Sequence, residues 1–203
     1  MRLFDGGRVP NARRVRIFLA EKGIPVPLVP VDLGRKEHRL PEFLARNPLG
    51  RVPVLELDDG TILTESVAIC RYFEELHPEP PLFGSGALGR ARVEMWNRRC
   101  ELELYGAVQA AFRHLHPAMA EYEVPQIAAW GEANKPRAIE ALRMLDHALG
   151  ATRFIAGDSF SIADITAFIA VEFLKPARLA IPEDCARLRD WHAGVAARPS
   201  AAA

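Results

Sequence analysis

Net charge is missing from this sequence: across 203 residues, 26 Lys and Arg balance 26 Asp and Glu. A general nucleic-acid binder would carry a basic excess, so that class is disfavoured. No apolar run of about 18 residues occurs, so no membrane span is expected. The first residues lack the basic-then-apolar order of a secretory signal. Cysteine is scarce. Cys70, Cys100 and Cys185 are odd in number and far apart, which fits free thiols in a reducing, cytoplasmic setting. No CxxC motif exists, which argues against a disulfide-exchange role, and no cysteine precedes Cys70. His114 and His116 are two apart and would not share a helix face, so no metal site is expected. Lysine is rare too: Arg supplies 22 of the 26 basic residues. Where buried, arginine favours planar, bidentate carboxylate contacts.

Apolar residues make up 49 % of the chain, enough for a large core. The most informative stretch runs from Asn47 to Ser66, NPLGRVPVLELDDGTILTES. Pro53 heads an apolar run, as a proline at a strand start must, because it has no N–H for the ladder. Asp58-Asp59-Gly60 then turns the chain into a second short strand, Thr61-Ile62-Leu63. Glu65-Ser66 stands at the mouth of a helix over 65–77, with Ile69, Tyr72, Phe73 and Leu76 on one face.

Before this stretch, Met1 to Phe4 reads as a strand. A helix follows with Val15, Phe18 and Leu19 in its stripe and Gly23 as C-cap. Pro25 to Val31 is an edge strand, and a short helix over 40–45 is stopped by Asn47-Pro48. The segment 77–86, HPEPPLFGSG, is a linker. Beyond it no strand pattern remains. A long helix is expected over 88–115 and a second over 127–149, with an irregularity at Pro136. A buried helix follows the capping box Ser161-Ile162-Ala163-Asp164, and a last helix spans about 183–197. Ser200 to Ala203 is expected to fray. Arg13 and Arg14 add positive potential near the helix start; as exposed side chains their plainer reading is solubility.

A βαβ–ββα unit with a proline before its third strand, joined to a helical half, resembles the cytosolic glutathione transferases. RVPVLELDDGTILTESVAI is similar to that family's cis-proline strand and Glu-Ser turn, and FIAGDSFSIADI to its C-terminal capping motif. EKGIPVPLVPVDL, KEHRLPEFLARNPLGRVPVLELDDGT and RRCELEL resemble a fungal and bacterial branch near the theta and omega classes, some of whose members are atypical in their catalytic residue. The resemblance implies an α/β thioredoxin-like N-terminal domain, 1–80, plus an all-α C-terminal domain, 87–203, contributing the electrophile pocket. It implies glutathione as co-substrate without a metal, a small hydrophobic electrophile, a homodimer, and no nucleic-acid or membrane partner.

The same resemblance implies site residues. Val52, before a cis Pro53, would pair its backbone with the cysteinyl segment of glutathione. Ser66, at a helix N-terminus, would take the γ-Glu carboxylate. Glu65 would lie near the γ-Glu amine, and His38 and Arg39 would hold the glycyl carboxylate. Tyr105, Phe112, His116 and Phe168 are the candidates for an electrophile pocket between the domains. The expected chemistry is attack by the glutathione thiolate on an electrophile, as in detoxification.

One part of the family pattern is absent. The loop after the first strand, residues 5–12, contains no Ser, Tyr, Cys or Thr, and Val9 stands where the theta-like relatives have Ser. Lowering a thiol pKa by two units needs about 2.7 kcal/mol of preferential thiolate stabilisation. Three sources are open: backbone N–H groups of Asn11, Ala12 and Arg13 at the helix start, the Asn11 amide, or His114 acting directly or through a water. His114 lies in the segment that matches the FHH-type run of the atypical branch. Two other outcomes stay open: glutathione-dependent peroxidase or dehalogenase activity at the same site, and a non-catalytic glutathione-binding or protein-interaction module.

Overall fold

The computed structural model describes all 203 residues. They form two compact units: residues 1–81 with 199–203, and residues 82–198.

The first unit is a mixed four-stranded sheet with three helices. Strands β1 (Arg2–Asp5), β2 (Leu28–Pro30), β3 (Val54–Glu56) and β4 (Ile62–Leu63) lie in the order β2-β1-β3-β4. β1 runs parallel to β2 and antiparallel to β3, and β3 pairs antiparallel with β4. β2 is at the edge, where Pro30, and Pro27 just before it, cost no ladder bond. Pro53 immediately precedes β3, which would not tolerate it inside. The hairpin closes at Gly60, φ 84°, with Asp59 accepting the Thr61 N–H at 2.9 Å.

Residues alternate across this sheet. Phe4 and Val54 face a cluster with Val31 and Phe43, the last from α2 (Pro41–Leu44). Leu3 and Leu55, fully buried, point to the other face, the one left for the paired helices α1 (Pro10–Lys22) and α3 (Ser66–Leu76). α1 starts at Pro10, which suits the first helical position, and ends at Gly23 in the left-handed conformation.

Lys22 closes the far end of the helix pair. Its side chain is fully buried, bonds to the carbonyls of His77 (2.6 Å) and Pro80 (2.7 Å), and pairs with Glu74 at 2.7 Å. Lys22→Met would remove the buried cation that joins the Glu74 carboxylate to two main-chain carbonyls. A loss of about 3–5 kcal/mol in the urea unfolding free energy is expected, where an exposed Lys36→Met should change it by about 0.5 kcal/mol or less.

The C-terminus does not fray as expected. A short 3-10 turn, Pro199–Ala202, docks on α1: Arg13 donates to the Ala201 carbonyl at 2.8 Å and Ser200 to Glu21. Main-chain and hydroxyl partners, absent from any apolar pattern, hold it.

The second unit contains helices only. α4 (Gly86–Arg99) passes through a π-helical stretch, Cys100–Tyr105, into α5 (Gly106–Leu115). The Gly106 N–H reaches five residues back to the Glu101 carbonyl. The irregularity expected at Pro136 is not there. α6 (Ala128–Ala148) continues through it, so the missing N–H is absorbed without a break. α7 (Ile162–Glu172) is buried at ten successive positions, and α8 (Ala186–Ala196) is shorter than expected. No helix is long and apolar enough to cross a membrane.

Candidate functional site

The loop after β1 is held by its own charges. Asp5 accepts the Gly7 N–H at 2.9 Å and pairs with Arg16, which also donates to the Gly7 carbonyl at 2.9 Å. Gly6 allows a close approach: a Cβ there would stand 2.6 Å from Val52 Cγ2 and 3.0 Å from Val9 Cγ2. The loop and the entry to β3 therefore touch. The Val52–Pro53 peptide is cis.

Asn47 shapes the approach to Val52. It is buried, its Nδ2 donates to the Arg51 carbonyl at 2.8 Å, and its Oδ1 accepts the Leu49 N–H at 3.1 Å. Gly50, φ 58°, packs so tightly that a Cβ would lie 2.9 Å from the His38 carbonyl and 3.0 Å from an Arg39 guanidinium nitrogen. His38 and Arg39 thus sit against the segment that delivers Val52. They occupy a 3-10 turn, Glu37–Arg39. His38 is buried rather than a solvated loop residue, and burial, then the charges of Arg39 and Lys36, holds its pKa below 6.5. It is therefore a neutral hydrogen-bonding group at pH 7, beside an exposed cation.

At the other end of the site stand two helix N-termini. Glu65, the residue before α3, has φ 64° and an exposed carboxylate with no partner in the chain. A non-glycine residue in this region is sustained only by its surroundings. Ser66 follows at the first turn, 5 % exposed. At the start of α1, Val9 provides no side-chain cap and Pro10 has no N–H; the Asn11 and Ala12 N–H groups have no intrahelical acceptor, while the Arg13 N–H, the third backbone candidate, goes to the Val9 carbonyl at 3.1 Å.

Arg14 joins the two. Expected at the surface, it is instead 1 % exposed, and its Nη1 donates both to Ser66 Oγ at 2.6 Å and to Asn11 Oδ1 at 3.0 Å. Residues read from separate motifs, Asn11 and Ser66, thereby become one arrangement. Asn47 has no site role in the sequence analysis, and Arg14 only a general positive potential without a partner. The available signal for Arg14 was its position three and four residues before Ile17 and Phe18, in the buried stripe of α1.

The remaining candidates lie in the second unit. His114 has one ring nitrogen engaged there: Nδ1 accepts the Ile127 N–H at 3.0 Å, while Nε2 lies 3.7 Å from Glu123, beyond hydrogen-bond distance. That arrangement closes the connection from α5 to α6. Phe112 contacts His116 and Phe173, each with ring centroids 4.9 Å apart, and Phe173 meets Tyr105 at 6.2 Å. Phe112 and His116 line a cleft of about 160 Å³ with Ala111, Leu115, Lys135 and Arg178. Phe168 is not part of this aromatic row. It is buried, and its ring lies 5.3 Å from that of His192.

No group of three or more His, Cys, Asp or Glu side chains is assembled to hold a metal. All three cysteines are free and buried, and burial pushes the Cys70 thiol far up, which leaves it unreactive.

Comparison with known proteins agrees with this architecture. The sequence profile "Glutathione S-transferase, N-terminal domain" matches residues 6–81, and "Glutathione S-transferase, C-terminal domain" matches 128–194. Glutathione S-transferase 2 of Saccharomyces cerevisiae is 40 % identical over 98 % of this chain and 87 % of its own length. A solved structure of Gtt2 from that yeast superposes with a TM-score of 0.93 at 40 % identity, covering 98 % of each chain. A glutathione S-transferase domain-containing protein of Marinobacter aquaeolei superposes with a TM-score of 0.95 at 41 % identity, covering 98 % of this chain and 99 % of its own. The chain belongs to the glutathione S-transferase family of enzymes.

Proposed function

We propose that this chain binds glutathione on its first unit and transfers its thiolate to small hydrophobic electrophiles, as a cytoplasmic detoxification enzyme working as a homodimer. The observation that carries this reading is the link between two helix N-termini through Arg14: Ser66 on α3 and Asn11 on α1. Helix N-termini favour anions. One suits the γ-Glu carboxylate and the other the cysteinyl thiolate. Between them the Val52 backbone takes the peptide, and His38 with Arg39 takes the glycyl carboxylate. Glu65, exposed and partnerless, takes the γ-Glu amine.

For thiol activation, Asn11 and the α1 N-terminus are preferred over His114, because they belong to the same unit as Val52 and Ser66, and His114 Nδ1 is already taken by the Ile127 N–H. In a substitution reaction the sulfur attacks the electrophilic carbon, the C–S bond forms, the bond to the halide breaks, and the thiol proton leaves to solvent. Phe112 and His116 offer ring faces to an aromatic electrophile, with Arg178 beside them to favour the negative charge that develops on the ring; Lys135 in the same cleft is paired with Glu132 at 2.8 Å.

A chloronitrobenzene with glutathione tests this. The enzyme should release chloride and form the thioether well above the spontaneous rate. Phe112→Ala should raise KM for the aromatic substrate by roughly 10-fold, from about 1.4 kcal/mol of lost ring contact, with KM for glutathione unchanged. The absence of a hydroxyl or thiol side chain in residues 5–12 favours one second reading, a glutathione-binding module without chemistry. Binding without turnover, with the thiol pKa unshifted, would establish it.

A further inference from the structure

We infer that Arg14 is the positioning residue that sets the hydrogen-bond polarity of the glutathione site, turning Asn11 and Ser66 into outward donors. This rests on the glutathione-binding reading above. Arginine only donates. The Asn11 atom 3.0 Å from the guanidinium must therefore be the oxygen, which assigns the other terminus of the amide as the NH₂ group. That NH₂ group makes no hydrogen bond within the chain, and Asn11 is partly exposed. Likewise, Ser66 Oγ accepts from Arg14 at 2.6 Å, so its own proton points away from the guanidinium. The hydroxyl donates to nothing in the protein.

The consequence is specific to what each group meets. A serine hydroxyl can donate or accept, and an amide can present either end. With the Arg14 nitrogen on their acceptor sides, both present protons, which suits an anion. Ser66 donates to a carboxylate, and Asn11 donates to a thiolate in a loop that carries no other side-chain donor of the usual kind. The guanidinium also places a buried positive charge behind both groups, with no contact to the ligand. Arg13 and Arg16, its neighbours on α1, do not substitute: their guanidinium groups go to the Ala201 carbonyl and to Asp5.

The test compares wild type, Arg14→Met, Arg14→Lys and Asn11→Asp by thermal unfolding, by KM for glutathione, and by the thiolate absorbance of bound glutathione against pH. Wild type should bind glutathione with its thiol pKa lowered; if it does not bind, the glutathione-binding reading itself fails, separately from the role of Arg14, and if it binds with the thiol pKa unshifted, the donor role given to Asn11 is overturned. Given that binding, folded Arg14→Met should raise KM about 10-fold or more and raise the bound thiol pKa by about one unit. Lysine can donate to both oxygens from one nitrogen, so Arg14→Lys should recover most of that shift. Asn11→Asp keeps an acceptor for Arg14 and removes the outward donor. It should raise the thiol pKa while leaving thermal stability intact, and it decides the matter if Arg14→Met does not fold. Wild-type thiol pKa and KM in folded Arg14→Met would overturn the proposal. So would lysine acting no better than methionine, or an unshifted pKa in Asn11→Asp.

Discussion

Asp164→Ala should cost about 4 kcal/mol or more of unfolding free energy, out of the roughly 5–15 kcal/mol that holds a typical domain. Asp164 is fully buried at the start of α7 and accepts from four donors. The Ile155 N–H (2.9 Å) and Trp191 Nε1 (3.0 Å) reach one oxygen, and the Ser161 N–H and hydroxyl, both at 3.0 Å, reach the other. The carboxylate ties the loop before α7 to α8, and its removal strands donors that no water reaches. Asp164→Asn should cost less, about 3 kcal/mol, because one oxygen survives while the new NH₂ group faces donors. The measurement is urea unfolding followed by far-UV circular dichroism. A cost below about 1 kcal/mol for Asp164→Ala would mean the four contacts are not formed in solution.

The same residue makes a pH prediction. Burial pushes the Asp164 carboxyl up to about 6, against the lowering effect of its hydrogen bonds. Between the ordinary carboxylate range and about 6, the folded state binds a proton that the unfolded state does not. Stability from this group therefore falls as pH rises through that window and is flat above it. The gap between wild type and Asp164→Asn should narrow from pH 4 to pH 7.

Ser66→Ala should weaken glutathione binding about 10-fold to 100-fold, with a much smaller effect on kcat. The reason is both a lost hydroxyl and a buried Arg14 nitrogen left with one acceptor fewer. Calorimetric titration of glutathione gives the affinity, and kcat at saturating glutathione gives the chemistry. A kcat loss with unchanged affinity would move Ser66 out of the carboxylate site and into the reaction.

The parts of this molecule that a sequence shows most readily are those set by neighbours in the chain. Pro53, the Asp58-Asp59-Gly60 turn and Glu65-Ser66 carry their conformations locally, and strand, hairpin and helix start fall where those residues place them. Ser161 and Asp164 announced a capping box, but not that Ile155 and Trp191 would also bond to the same carboxylate. Arg14 was misjudged because its partner Ser66 is 52 residues away, and its neighbours Arg13 and Arg16 look identical in sequence. The π-helical turn at Cys100–Tyr105 leaves no mark because the apolar spacing runs on out of it, from Leu104 to Val108 and Ala111. Pro136 gave a strong local signal that the helix overrides.

The central claim is that glutathione lies along Val52, with its γ-Glu carboxylate on Ser66 and its sulfur at the start of α1. A crystal structure with glutathione bound tests it most directly. The sulfur is expected within hydrogen-bond reach of the Asn11 amide or the Asn11 and Ala12 N–H groups, with two main-chain bonds to Val52. A sulfur held by His114, or a glutathione that bypasses Val52 and Ser66, would contradict it.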